Sequence, residues 1–525
     1  MKLIEQIKIN ANQNEQDLLN VLAKKAKIPL QGIKNYQILK MGIDARKKPK
    51  VFFVYNVAIE VDKKYQQKLS GFADVVVDKS GLCYPKLNRQ DLRPVVVGFG
   101  PSGMFCALAL ALAGLNPIVL EQGKDVDSRQ KDVEDFWQNG NLNENSNVQF
   151  GEGGAGTFSD GKLNTTLNNE YCKKVICEFI LNGAPDEIFY KNKAHIGTDN
   201  LRKIVKNIRQ KIINNGGKII FNAKMTNFDV QNAQIKNVQY LDVLSGKSHA
   251  IYTNCLILAI GHSAYETFKL LKYKNVNMHK KPFAMGVRIE QSQKIINFAQ
   301  YGSFNPNLPS ADYKLVEHLP NGRSVFTFCM CPGGRVVASS SEKGTIVTNG
   351  MSNFLRDEKN ANSALLVNVT PNDFEGEDVL SGFEMQRKYE KKAFELAGKN
   401  YNAPATTVGK FLDKVDNDIQ ISSSYMPGLT MCDISKCLPD FVVDSLKQAL
   451  VLFDKKIEGF AKPENLLISP ETRSSCPVQF DRDENFVCSI NGLYACGEGA
   501  GYAGGIVSSA VDGIKCAEKI MANKN

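Results

Sequence analysis

Apolar and polar residues alternate from Leu3 to Ile9, which predicts a strand, and Leu18, Leu19, Leu22 and Ala26 then recur at helical spacing before Pro29. Two extended stretches, Ile33 to Leu39 and Val51 to Val61, flank the polar turn Asp44 to Lys50 and predict a hairpin. Residues 1–88 therefore read as a small α/β unit. After Arg93-Pro94 the pattern changes. An unbroken apolar run, Val95 to Val97, meets a glycine-rich turn and then the alanine- and leucine-rich stretch Ser102 to Leu112. Such a run is how a parallel strand covered on both faces begins. Strand and helix signals recur in Leu201 to Ile213, Lys218 to Phe221 and Cys255 to Ile260, which assigns 89–264 to one α/β domain. No βαβ rhythm runs from Tyr265 to about Ala461, so 265–462 reads as an inserted mixed α+β domain. Residues 463–525 return to the first domain with a strand, a glycine turn and a final helix.

The turn after the first apolar strand is Gly98-Phe99-Gly100-Pro101-Ser102-Gly103, and the next strand, Pro117 to Leu120, ends in Glu121, twenty-three residues after Gly98. In this context Gly98 permits the tight turn, Gly100 lets backbone approach a pyrophosphate, and Gly103 allows close packing of helix on strand. Glu121 is placed to accept hydrogen bonds from ribose hydroxyls, which disfavours a 2′-phosphate. The turn alone does not separate FAD from NAD. Near the carboxyl end, Asn491 to Gly499 is a short strand ending in Gly497-Glu498, which resembles the distal FAD motif whose acid holds a ribityl hydroxyl. Gly504-Gly505-Ile506 then open a helix whose unpaired amides suit the electron-rich edge of a reduced flavin. These segments favour FAD. The expected fold class is α/β, with a Rossmann-like FAD-binding domain built from discontinuous segments, the insert, and the small N-terminal domain.

A third glycine-rich stretch, Gly151 to Lys162, also fits GxGxxG in form. It follows the polar stretch Asn139 to Asn147, and Ser159-Asp160-Gly161 interrupts any helix, so it reads as a backbone cradle near flavin or pyrophosphate. Its expected contacts are Gly153, Gly154, Thr157, Ser159, Asp160, Gly161 and Lys162. Pro101, Ser102, Gln122, Arg129, Met225 and the turn Ala259-Ile260-Gly261 complete the expected cofactor set; Arg129 follows the second strand, where it resembles the basic residue that flavoproteins often have near the adenosine phosphate.

These segments carry a family resemblance. Asn147 to Lys162, Ala194 to Asp199, Leu258 to Ala264, Cys329 to Gly334, Thr348 to Ser352, Glu471 to Pro477 and Gly497 to Gly505 are similar to the largely uncharacterised family of FAD-dependent dehydrogenases, in the flavoprotein superfamily that includes fumarate reductase. The resemblance implies bound FAD, an insert that caps the isoalloxazine, and no settled substrate. Two departures stand out. Glu498 replaces the superfamily's usual aspartate, and Cys476 stands where a serine usually precedes the proline.

The flavin would carry the hydride, so few side chains need to react. His262 and Tyr502 are the candidate proton donors, and Arg288, Arg335 and Arg473 are candidate clamps for a substrate carboxylate. Cys329 and Cys331 fit a redox-active or metal-binding pair, since thiolates suit both tasks, or simply two packed thiols, the reading favoured because no complementary ligand cluster accompanies them. The thirteen cysteines include no CxxC pair, and no metal site is expected. The terminus Met1 to Lys8 lacks a signal-type apolar core, and the run Met104 to Leu115 is too short for a bilayer, so a cytoplasmic protein with no membrane partner is expected. The net charge of +10 is dispersed, which argues against nucleic acid as the partner. The expected function is FAD-dependent oxidation or reduction of a small molecule, with NAD(P)H as a transient donor over the flavin. The alternative is an RNA-associated or tRNA-modifying flavoprotein that uses the cations of Arg46 to Lys50.

Overall fold

A computed structural model describes residues 1–525 except 90, 168, 415–421 and 524–525. A five-stranded sheet runs in the order Leu493–Ala495, Cys255–Leu258, Pro94–Val97, Ile118–Leu120, Lys218–Ile220, and every neighbouring pair is parallel. Val96 faces helices Pro101–Leu112, Glu170–Leu181, Thr198–Asn214 and Ile506–Ala522, while Val95 and Val97 face a three-stranded sheet and helix Tyr265–Tyr273. Two apolar faces on one strand explain why its sequence lacks alternation. Helix Pro101–Leu112 is apolar all round for a similar reason, since Ser102 to Ala111 are all buried between the sheet and helix Ile506–Ala522. Gly103 makes that packing possible: a Cβ there would lie 2.0 Å from the carbonyl oxygen of Gly98.

The second large element is a seven-stranded sheet in the order Val316–His318, Ser324–Cys331, Asn360–Val369, Phe283–Ser292, Leu466–Glu471, Ala403–Thr407, Leu429–Met431. All pairs are antiparallel except the last. Strand Leu466–Glu471 lies beyond residue 463, where the sequence pattern returns to the first domain, yet it hydrogen-bonds within this sheet. Helix Asp440–Lys456 covers one face through Val442, Leu446, Ala449 and Phe453.

The first sixty residues form a three-stranded antiparallel sheet, Lys2–Asn10, Lys50–Val61 and Ile33–Lys47, with helix Glu15–Ala26 against it. Asn14 starts that helix by accepting from the amides of Gln16 and Asp17, and the Asp17 carboxylate accepts from the Asn14 amide. The hairpin is the predicted one, but its first strand continues to Lys47, so the charges of the expected turn lie mostly on paired strand.

Candidate functional site

The carboxyl ends of the parallel strands open on one cavity of about 390 Å³, within the usual range for a ligand site. Such ends are where open α/β sheets bind ligands. Val97, Leu120, Ala259 and Cys496, at or just past four strand ends, form its floor. The fingerprint turn, the middle glycine loop and the start of helix Ile506–Ala522 form its walls, and the far side carries Phe328, Cys329, Asn349 and Glu471 from the region of the seven-stranded sheet. The middle loop lies directly on the fingerprint turn. Gly154, at φ +59°, brings its backbone so close that a Cβ would sit 2.9 Å from the Gly100 Cα. Gly151, at the start of the same loop, donates its amide to Glu121.

Of the residues singled out from sequence, Gly98, Gly100, Pro101, Ser102, Glu121, Gln122, Gly154, Ser159, Lys162, Met225, Ala259, Ile260, Gly261, His262, Glu498, Gly504, Gly505 and Ile506 line this cavity. Glu121 is already heavily engaged, because its carboxylate accepts from the amides of Phe99, Gly123 and Gly151 at 2.8 to 2.9 Å. It therefore also stitches the fingerprint turn to the middle loop.

Other expected contacts lie behind the wall. Arg129 is wholly buried, donates to the carbonyls of Asn147, Val148 and Glu152, and stacks on Phe158. The sequence places it at a phosphate; the structure spends its donors on the chain that leads into the middle loop. Asp160 is buried between Arg356 and Lys162, with Nε to Oδ1 at 2.9 Å and Nζ to Oδ2 at 2.6 Å. Burial opposes its charge, but those two cations overrule it and hold its carboxyl below the ordinary range. Asp160 thus pins Lys162 in the wall. Gly103, Gly153, Thr157, Gly161 and Gly497 act in backbone packing; the Gly497 amide, for instance, donates to Asp512. Tyr502 is also outside the cavity, with its hydroxyl donating to the Phe480 carbonyl and its ring 3.6 Å from the Arg482 guanidinium. Arg482 in turn clamps Asp512, so Tyr502 belongs to the scaffold under Gly497.

None of the three candidate arginine clamps carries a free charge. Arg288 is wholly buried in a two-pronged pair with Glu471, and Arg335 is paired with Glu358. Arg473 does line the cavity, but Glu390 behind it takes two of its donors while Ser263 and Ser341 accept from the third nitrogen. Thr472 also donates to Glu390, which is fully buried; burial opposes that charge, and Arg473 outweighs it, holding the carboxyl low.

His262 sits at the edge of this network. Gln386 donates through Nε2 to the Thr472 carbonyl, so its Oε1 accepts from His262 Nε2 at 3.0 Å. Nδ1 of the same ring is buried, lacks a hydrogen bond, and lies 3.3 Å from Glu498 Oε1. The sequence reading did not single out Gln149, Ser263, Asn349 or Glu471 as contacts. Each lies in or next to a family-like segment, but its place in the wall depends on packing between distant strands.

In the hairpin proposed for nucleic acid, Arg46 pairs with Asp44 at 2.8 Å and Lys48 donates to the Ala299 carbonyl. Among the described residues no helix is long and apolar enough to cross a membrane.

Residues 282–474 match a family described as FAD-dependent protein, C-terminal domain-like, and residues 1–60 match a domain of unknown function. An uncharacterized protein of Clostridium beijerinckii is 47% identical over 534 residues, covering 98% of both chains. Among solved structures, the glycerol-3-phosphate dehydrogenase of Bacillus halodurans complexed with FAD is 12% identical, with a TM-score of 0.37 over 83% of this chain and 66% of that one. A quinol fumarate reductase of E. coli is 10% identical, with a TM-score of 0.36 over 83% and 71%. With the relative matched end to end, the chain belongs to the same family as the uncharacterized Clostridium beijerinckii protein, and its residues 282–474, which lie across the seven-stranded sheet, match the FAD-dependent protein C-terminal domain.

Proposed function

We propose that the protein is an FAD-dependent oxidoreductase that acts on a small molecule in the cavity between the parallel sheet and the seven-stranded sheet. One observation carries this reading: three backbone cradles distant in sequence, at Gly98–Ser102, Gly154–Gly156 and Gly504–Ile506, converge on one cavity at the strand ends.

The residues present fit the group. Two of the cradles are helix starts, Pro101–Leu112 and Ile506–Ala522, whose positive ends favour anionic groups, although at the second the Gly504 and Gly505 amides reach the Ser508 hydroxyl at 3.4 and 3.1 Å. Gly504 has open space where a side chain would be, which leaves its backbone accessible. The buried Nδ1 of His262, which makes no hydrogen bond, faces Glu498 Oε1 at 3.3 Å and keeps a polar group at the cavity wall. FAD, when bound, supplies two-electron chemistry by hydride transfer.

The chain's own residues then hold and orient. Gly98 to Ser102 and the middle loop would hold the pyrophosphate, and Glu498 would accept from a sugar hydroxyl. Lys162, held protonated by Asp160 despite its burial, supplies a fixed positive charge in the wall. His262 and Glu498 form the pair through which a proton can be held or moved at Nδ1. Among the described residues one parallel sheet with a dinucleotide turn is present, so NAD(P)H would act as a transient donor on the open side of the cavity.

The test is the absorption spectrum of the purified protein, followed by anaerobic addition of NADH and NADPH separately. Bound FAD bleached by either nucleotide supports the reading. A protein that neither holds flavin nor takes it up sinks it.

A further inference from the structure

Cys329 and Cys331 are set apart from the other cysteines by where the backbone puts them. Strand Ser324–Cys331 loses register with Asn360–Val369 between Phe328 and Cys331, so one extra residue is accommodated there. Cys329 lies inside that irregularity at φ +44°, a conformation that side chains beyond glycine rarely adopt. The local strain turns Cys329 out to the cavity wall, half-buried, while Cys331 stays fully buried behind it. The two remain close, since the Cys331 thiol donates to the Cys329 carbonyl at 3.3 Å.

The surroundings are cationic and tight. Arg288 donates to that same carbonyl at 3.4 Å, and Lys162 lines the cavity with Cys329. A Cβ on Gly350 would lie 3.0 Å from the Cys331 sulfur, so the small residue there leaves room for the second thiol. A hydrogen bond from Cys331 first, and then Lys162 and Arg288 against the opposing effect of burial, hold the Cys329 thiol below its ordinary range, while Cys331, as the donor, is pushed up. A half-buried thiol at a cavity wall, held below its ordinary range, with a second, buried thiol two residues on that hydrogen-bonds to its carbonyl, is the arrangement of an attacking and a resolving cysteine.

We propose that Cys329 and Cys331 are a dithiol–disulfide couple that exchanges two electrons with the flavin in this cavity. The proposal rests on the FAD reading above. In the oxidising direction two S–H bonds break and one Sγ–Sγ bond forms between Cys329 and Cys331. The two electrons and two protons pass to oxidised FAD, which is the oxidant, and the reverse step returns them to the disulfide. The cycle adds a second two-electron store beside the flavin, with Cys329 as its cavity-facing member.

Two measurements test it on the purified holoprotein. Anaerobic titration with dithionite, after mild oxidation, counts electrons taken up per flavin; the wild type should take up twice as many as Cys329→Ser. In parallel, the protein is equilibrated with graded ratios of reduced and oxidised dithiothreitol, alkylated with iodoacetamide and cut with trypsin. The peptide Ser324–Arg335 holds both cysteines and no other. Reversible conversion between a doubly alkylated form and an unalkylated form lighter by two hydrogens is expected, and Cys331→Ser should abolish the light form. A holoprotein that keeps its flavin, takes up only the flavin's own two electrons, and yields the doubly alkylated peptide at every ratio overturns the proposal and leaves the FAD reading intact. A protein without flavin overturns both. Because the decisive readings come from the wild type, they stand even if the variant at the buried position does not fold.

Discussion

Arg473 and Glu390 meet as a two-pronged ion pair at the cavity wall, Nε to Oε1 at 3.0 Å and the second prong to Oε2 at 2.9 Å. Removing the carboxylate alone strands a buried guanidinium, which costs about 3–5 kcal/mol for pairs of this kind. Glu390→Ala should therefore lower the urea midpoint strongly. Arg473→Lys keeps the charge but loses the fork, and should cost less in stability while loosening Ser263 and Ser341. Equal midpoints for wild type and Glu390→Ala would refute the pair's structural role.

Gly98 and Gly100 are two residues apart and should fail differently. A Cβ on Gly98 would stand 2.3 Å from the Ala259 carbonyl oxygen at φ +99°, so Gly98→Ala strains the fold itself. At Gly100 the nearest heavy atom is the Gly154 Cα at 3.6 Å, an ordinary contact. Gly100→Ala should melt within about 1 kcal/mol of wild type, yet retain much less FAD after gel filtration, because the backbone can no longer approach the cofactor. Full flavin content in Gly100→Ala would count against the pyrophosphate assignment.

His195 gives the chain a specific weakness to acid. Burial, reinforced by Arg356, pulls its imidazole down from 6.5 to about 4, so the folded protein holds it neutral while the unfolded chain protonates. A lowered folded value in a base means that stability is intact above 6.5 and drains away as pH falls toward 4. The loss is up to about 3 kcal/mol for this one group. Thermal melts of wild type and His195→Gln across that interval should diverge, with wild type falling faster. Parallel curves would reject the assignment.

Tyr502 offers a control for the cavity's boundary. Its hydroxyl bonds to the Phe480 carbonyl and its ring covers Arg482, so Tyr502→Phe should cost about 1 kcal/mol and leave the bound-flavin spectrum unchanged. A shifted or lost flavin band would place Tyr502 at the cofactor after all.

Local pattern was enough for the parts whose cause is local. The unbroken apolar run Val95 to Val97, the glycines behind it and the buried helix to Leu112 specify a strand, turn and helix, because burial on both sides leaves no polar position to alternate. Gly98 and Gly103 were legible in the same way, since a Cβ at either would stand 2.3 or 2.0 Å from a backbone oxygen. What a charged side chain does depends on which partner arrives from elsewhere, and that information is tertiary. Arg129 reads as a phosphate ligand until the carbonyls of Asn147, Val148 and Glu152 surround it, and Asp160 reads as a cradle residue until Arg356 comes from 196 residues away. Cys329 and Cys331 are two thiols on a strand in the sequence. Only the register shift against Asn360–Val369, the positive φ and the nearby Lys162 and Arg288 set one in the cavity and the other behind it, because low-dielectric surroundings make the choice of neighbour decisive for a group that can carry charge.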